Sequence, residues 1–544
     1  MATTIGAPSG TVQAVFMPPP VQQRAVAAEA PAVNPWIVAI SVMLATFMEV
    51  LDTTIASVAL PYIAGSMAAS NSEATWVLTT YLIANAVVLP ASNWFGLRFG
   101  RKRFLITCVA LFIVSSFLCG SAPSLSFLLM ARVLQGAGGG ALQPISQAVL
   151  LESFPPKKRG AAMAVFGFGV VVAPVLGPTL GGWLTDAWSW RYAFYINIPI
   201  GLLAILMISR FVHDPPYIRN AKPGPFDNLG FGLLCLWTGS LQIILDKGQE
   251  VDWFAATWLR WATVLLVVTF VAFVVHSWRA RTPLVDLHVL KRNWNFGVSC
   301  VLIFLLGFVL YIQVSMLPLL YQEVLGYTAL TAGIVVAPRG FGAMMGLPIV
   351  GKLSQHVDNR WLLFTGFCIF TASSLLFSFI NLQIGPTTLL MAIIIAGFGM
   401  SFLFVPLGNM GTATLPNPEI GNATGIFNLL RNIGGSVGIS MAQTELVRRA
   451  CFHQTRLAAA VPQSGYLFQM YSSQLSRYLG MRMGHAAGEP LAAAQLYRML
   501  QQQALLLSFL DIFRWCAVIT AIAAALGWLF RKIKIHHDGS VATH

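Results

Sequence analysis

Two carboxylates, Glu49 and Asp52, stand three residues apart in the stretch FMEVLDTTIASVALP, inside an apolar run that begins near Trp36. On a helix this spacing puts them on one face, one above the other. A charge at the centre of a bilayer costs about 2.5–3.5 kcal/mol on insertion scales, so two acids in one span need a proton, water or a cationic partner. Arg132, about six residues into a later apolar run, is such a cation. At a rise of about 1.5 Å per residue the three side chains fall in one layer, roughly 6–10 Å from the outer membrane face. A neighbouring arginine favours the ionised form of a carboxylate, whereas burial and a second acid one turn away favour the protonated form. One acid can therefore hold its charge against Arg132 while the other takes up and releases a proton. Asp52 is assigned the structural role and Glu49 the proton, although the coupled titration of such a pair allows the reverse. The competing reading is a static buried salt bridge.

The elements that must position these groups follow from composition. The chain has 544 residues, 56% hydrophobic and 10% charged, against about 25% charged in soluble domains. Runs of roughly 20 apolar residues, enough to cross a hydrocarbon core, recur along most of its length. The spanning elements are helices, because only helices and closed barrels satisfy their backbone in lipid. The formal net charge of +14 lies in short clusters between the apolar runs, which argues against a nucleic-acid partner. Seven scattered cysteines show no metal-ligand spacing, so no metal site is expected.

Fourteen spans are predicted, at about 36–60, 76–97, 104–122, 126–151, 161–186, 192–211, 229–246, 257–277, 296–320, 330–351, 360–380, 387–409, 421–445 and 505–530. Basic clusters at 97–103, 157–159, 210–222, 279–292, 352–360 and 531–534 fall in every second connection. The positive-inside rule makes these connections and both termini cytoplasmic. The predicted organisation is a disordered cytoplasmic tail (1–35), a six-helix bundle (36–211), two inserted helices (229–277), a second six-helix bundle (296–530) and a short cytoplasmic tail (531–544). Residues 448–503, on the outer side, read as an amphipathic helical projection. The fold class expected is an all-α polytopic membrane protein with the substrate path between two halves.

Further residues carry possible roles. In the second half Arg339, Arg431 and Asp511 fall in the outer to middle third of their spans, where they form a candidate charge network; a structural Arg431–Asp511 pair and a transport role are both open. Arg514, His276 and Asp246 lie near span ends or alone and read as ordinary. The glycines of GAGGGA at 136–141 follow no strand and read as helix packing, not as a dinucleotide loop. Pro174, Gly177, Pro178, Gly181 and Gly182 should make the fifth span bent and tightly packed. Phe47, Met48, Gln143, Asn197, Phe427 and Asn428 are candidates for a substrate cavity.

The segments LDTTIASVALP, MARVLQGAGGGALQP, APVLGPTLGGW, WRYAFYINIPIG and FNLLRNIGGSVG resemble signatures of the major facilitator superfamily. The likeness is greatest to its fourteen-span drug:proton antiporters of the EmrB/QacA type and covers about residues 36–530. It implies export of hydrophobic, amphipathic or cationic compounds in exchange for protons, with no cofactor beyond the proton gradient. It also implies a place in the bacterial inner membrane and a periplasmic membrane-fusion adaptor (EmrA-type) and outer-membrane channel as partners. APVLGPTLGGW then acts as a seal against proton leak. NWFGLRFGRK departs from the family's cytoplasmic loop motif, with Asn93 for its first Gly and Leu97 for its usual Asp, while Arg98, Gly100, Arg101 and Lys102 remain. The rival readings are export of one metabolite, such as a fatty acid or siderophore, and a membrane binding or sensor protein without transport.

Overall fold

A computed structural model describes residues 34–531 apart from 156–157, 220–223, 355, 413–414, 462–464 and 484. The expected N-terminal tail up to residue 33 and the C-terminal tail from 532 lie outside the described residues.

The first half comprises α1 (Pro35–Ser66), α2 (Asn71–Phe99), α3 (Arg101–Gly120), α4 (Leu125–Gly139), α5 (Leu142–Ser153), α6 (Arg159–Ala187), α7 (Tyr192–Tyr195) and α8 (Asn197–Phe211). After the short α9 (Pro216–Arg219) come the inserted helices α10 (Asn228–Lys247) and α11 (Thr257–Arg279). The second half follows α12 (His288–Arg292), with α13 (Trp294–Leu319), α14 (Ala329–Val336), α15 (Pro338–Leu353), α16 (Asn359–Phe377), α17 (Pro386–Thr412), α18 (Asn417–Ala460), α19 (Tyr466–Met483) and α20 (His485–Leu526).

Among the described residues thirteen helical segments are long and apolar enough to cross a membrane. The protein is thus an all-helical, multi-pass membrane protein. The remaining expected span, 421–445, lies on α18, which is less apolar because it carries Asn422, Asn428, Arg431 and Asn432 and runs on into Glu445, Arg448 and Arg449. It is nevertheless packed along α13, α20, α2 and α5.

Two expected spans are divided. The fourth breaks at Gly140–Ala141 into α4 and α5, and the tenth at Ala337–Pro338 into α14 and α15. At the first break α4 lies directly against α2, since a Cβ at Gly136 or Gly140 would collide with the backbone carbonyl of Tyr81 or Asn85 respectively. In contrast, α6 is unbroken from Arg159 to Ala187 through both Pro174 and Pro178.

α18 and α20, with 44 and 42 residues, are each about 65 Å long, roughly twice a hydrocarbon core. The start of α18 touches α2 at the 97–103 loop, where Gly421 faces Asn93. Its far end, α19 and the start of α20 therefore stand out on the side opposite the basic clusters. The two halves meet where α6 packs on α14, α15 and α17, and where α2 and α5 pack on α18.

Candidate functional site

α1 turns Glu49 and Asp52 inward, and both are buried. α4 places Arg132 and Gln135 one turn apart, facing α1. Arg132 donates from Nη1 to Asp52 Oδ2 at 2.7 Å and to Gln135 Oε1 at 2.6 Å, and from Nε to the Val77 carbonyl of α2 at 2.9 Å. Its guanidinium lies over the Tyr81 ring, 4.3 Å from the centroid. Asp52 Oδ1 accepts from Gln135 Nε2 at 2.8 Å and from Asn197 Nδ2 of α8 at 2.7 Å, and Gln135 also donates to Ser116 of α3 at 2.7 Å. One ion pair and its hydrogen bonds thus tie together five helices of the first half. Five of the hydrogen bonds of this cluster converge on the pair, while Arg132 Nη2 and Asn197 Oδ1 have no partner among the described residues, and losing one member of the pair leaves a buried charge uncompensated.

Glu49 belongs to a different set of contacts. Its Oε1 accepts from Asn85 Nδ2 of α2 at 3.1 Å, and its Oε2 from Gln143 Nε2 of α5 at 2.6 Å. Gln143 Oε1 in turn accepts from Arg431 Nη2 of α18, so the chain of contacts crosses from one half to the other. Two neighbouring bonds cross the same seam: Asn428 Nδ2 donates to Gln147 Oε1 at 2.8 Å and Thr424 Oγ1 to the Pro144 carbonyl at 3.4 Å.

The expected second-half network does not form. Arg431 faces α5, and Asp511 instead accepts from His453 Nε2 at 2.9 Å and from Arg514 Nη1 at 3.0 Å, with Arg449 Nη1 at 3.9 Å. His453 and Arg449 lie 18–22 residues beyond Arg431 on α18, about 27–33 Å along the helix. Hydropathy ends the span near 445, whereas α18 continues to Ala460 and sets a different register against α20. Arg339 is separate from both. Its Nη2 donates to Gln313 Oε1 of α13 at 3.1 Å, and Gln313 donates to Ser374 at 3.0 Å. Asp246 and His276 have partners too: Thr79 donates to Asp246, and His276 Nε2 lies 2.8 Å from Asp227.

Gln143, Asn197 and Asn428, read as cavity candidates, are engaged within the protein by the bonds just described. Met48 is buried with its sulfur beside Gly201 of α8, Phe427 is buried in the apolar core, and Phe47 is half-buried. In the fifth-span motif a Cβ on Gly177 would collide with Thr54, and one on Gly181 would come within 3.2 Å of the Ile55 Cα, whereas one on Gly182 would meet nothing within 4 Å among the described residues. Two of these glycines therefore seat α6 against α1 directly beside Asp52, and Pro178 and Thr179 meet Gly333 of α14 across the halves.

In the loop motif Gly100 has φ +86°, in the left-handed region that favours glycine, and divides α2 from α3. Arg101 is buried in an ion pair with Glu152 of α5, to which Tyr217 also donates, whereas Arg98 is exposed. Although position 97 is Leu, a carboxylate still stands at the start of α3, because Asp214 accepts the Lys102 N–H at 2.9 Å.

Sequence reasoning missed Gln135, Asn85, Tyr81 and Ser116. Gln135, one turn after Arg132, and Asn85, alone in YLIANAVVLP, were available signals, since an isolated polar residue inside a span usually seeks a polar partner.

Two helical bundles meeting over buried charges define a membrane transporter. The chain belongs to the major facilitator superfamily, whose model matches residues 42–439. It is 36% identical over 446 residues to "Multidrug export protein EmrB" of Haemophilus influenzae, covering 81% of this chain and 86% of that protein. It is 34% identical over 515 residues to "Fatty acid resistance protein FarB" of Neisseria gonorrhoeae, covering 92% and 97%. The crystal structure of the human organic anion transporter MFSD10 shares the fold, with TM-score 0.56 and 13% identity over 90% of this chain and 99% of that one.

Proposed function

We propose that the protein is a proton-coupled multidrug efflux antiporter exporting hydrophobic, amphipathic or cationic compounds. The observation that carries this is the division of labour on α1: Asp52 is locked to Arg132, while Glu49, one turn away, is held only by the neutral amides of Asn85 and Gln143. Glu49 is the group free to exchange a proton, and no cofactor beyond the proton gradient is involved. Each charge crossing the membrane is worth about 2.3 kcal/mol per 100 mV. Relatedness to a protein named a multidrug export protein supports the substrate class.

The apolar helices and the relatedness to EmrB support an inner-membrane location, and the positive-inside rule supports cytoplasmic termini. The projection is then periplasmic, and its exposed Tyr466, Tyr471, Tyr478 and Met481 suit docking of a membrane-fusion adaptor that leads to an outer-membrane channel. The relative named for fatty acid resistance favours a second reading, export of a carboxylated amphiphile.

The test is transport in sealed vesicles under an imposed proton gradient. Cationic dyes and fatty acids are supplied separately, alongside substrate-induced proton release from purified protein. Accumulation of dye with proton release is expected. Accumulation of fatty acid alone would replace the first reading by the second, and binding without accumulation of either would leave a sensor.

A further inference from the structure

The Gln143 amide is the one link between an acid of the first half and a cation of the second among the described contacts at this seam. Its N–H2 is committed to the Glu49 carboxylate and its carbonyl to the Arg431 guanidinium. Gly307 of α13 packs against the Arg431 backbone carbonyl, so the backbone of α18 is held against α13 at this point. The other groups around Glu49 are Tyr81 and Asn85 on α2, Tyr311 on α13 and Asp52 on α1. Of these only Asn85 is bonded to Glu49.

We infer that Gln143 is a positioning residue that converts the protonation of Glu49 into release of α5 from α18; this rests on Glu49 being the proton carrier. A proton on Glu49 Oε2 sets an O–H against the Gln143 N–H2, donor against donor. Turning the amide over restores a bond to Glu49 but aims the N–H2 at Arg431, which has only donors. A proton on Oε1 sets the same conflict against Asn85 and removes the charge assistance from the Gln143 bond. In each case the bond across the seam weakens when Glu49 is protonated. Glu49 stands near the middle of α1, not close to the outer face as its span position suggested, and from its bond to Gln143 the seam runs toward the basic clusters through Asn428–Gln147 and Thr424–Pro144 to Gly421 beside Arg101. Proton uptake thus opens the transporter on that side, where an exporter collects its substrate, and proton loss closes it again.

The test uses full-length protein in nanodiscs, its seven cysteines replaced, with spin labels at Lys158 and Lys291, which are exposed on the same side of the two halves. Wild type should show a longer distance at pH 6 than at pH 8. Gln143→Leu should stay long at both pH values and Gln143→Glu, which keeps Arg431 paired, short at both. Two near-isosteric side chains acting in opposite directions is a result that a merely structural role does not give. If Gln143→Leu fails to fold, Gln143→Glu alone decides: a wild-type shift in it overturns the inference. Substrate-induced proton release should persist in Gln143→Leu and vanish in Glu49→Gln. Release persisting in Glu49→Gln overturns the proton-carrier reading, whereas a wild-type distance shift in Gln143→Leu, with Glu49→Gln silent, overturns the relay alone.

Discussion

Glu49 and Asp52 sit one helical turn apart on α1 and share no hydrogen-bond partner: Arg132, Gln135 and Asn197 hold the second, Asn85 and Gln143 the first. Substituting either should therefore give different failures. Asp52→Asn leaves the buried Arg132 without its counter-ion, and breaking a buried pair costs about 3–5 kcal/mol. Its thermal midpoint in detergent should fall well below wild type, together with export. Glu49→Gln keeps shape and most hydrogen bonds, so its midpoint should stay close to wild type while proton-driven accumulation is lost. Equal midpoints for the two variants would contradict the division.

Arg132→Lys should lose export although charge is conserved. The guanidinium serves Val77, Asp52 and Gln135 from two different nitrogens, and an ammonium cannot reach all three in that geometry. Each buried acceptor left unserved costs about 1–3 kcal/mol, so export at matched expression should fall well below wild type. Near-normal export by a well-expressed Lys variant would show that charge alone suffices.

The fifth-span glycines should separate. Gly177→Ala pushes α6 off Thr54 and should destabilise by about 1–3 kcal/mol, with faster proton leak in sealed vesicles. Gly182→Ala meets nothing within 4 Å and should match or exceed wild-type stability, since alanine is the better helix former. Equal leak in both would dissociate the α1–α6 contact from sealing.

Shortening the projection by joining α18 near Thr455 to α20 near Tyr497 removes helices that lie beyond the membrane-length part of both. The shortened protein should still transport in vesicles but lose co-purification with the adaptor. Adaptor binding at wild-type yield would place the docking surface elsewhere.

Much of this protein was legible before folding. Hydropathic length marked the spans, because the bilayer imposes one dimension on every crossing helix, and charge within the spans marked Glu49, Asp52, Arg132, Arg339 and Arg431, because lipid makes such groups costly. Shared depth brought Arg132 beside the two acids without deciding which of them it pairs with. Depth, however, says nothing of azimuth. Gln143 and Asn197 looked like cavity residues until the packing of α5 and α8 turned them onto Glu49 and Asp52, and Arg431 looked like the partner of Asp511 until the register of α18 against α20 placed them about 30 Å apart along the helix. Sequence by itself determined which groups are too costly to leave alone in a membrane; only tertiary structure, through close approach at Gly136, Gly140, Gly177 and Gly307, decided which neighbour satisfies each and which bond crosses between the halves.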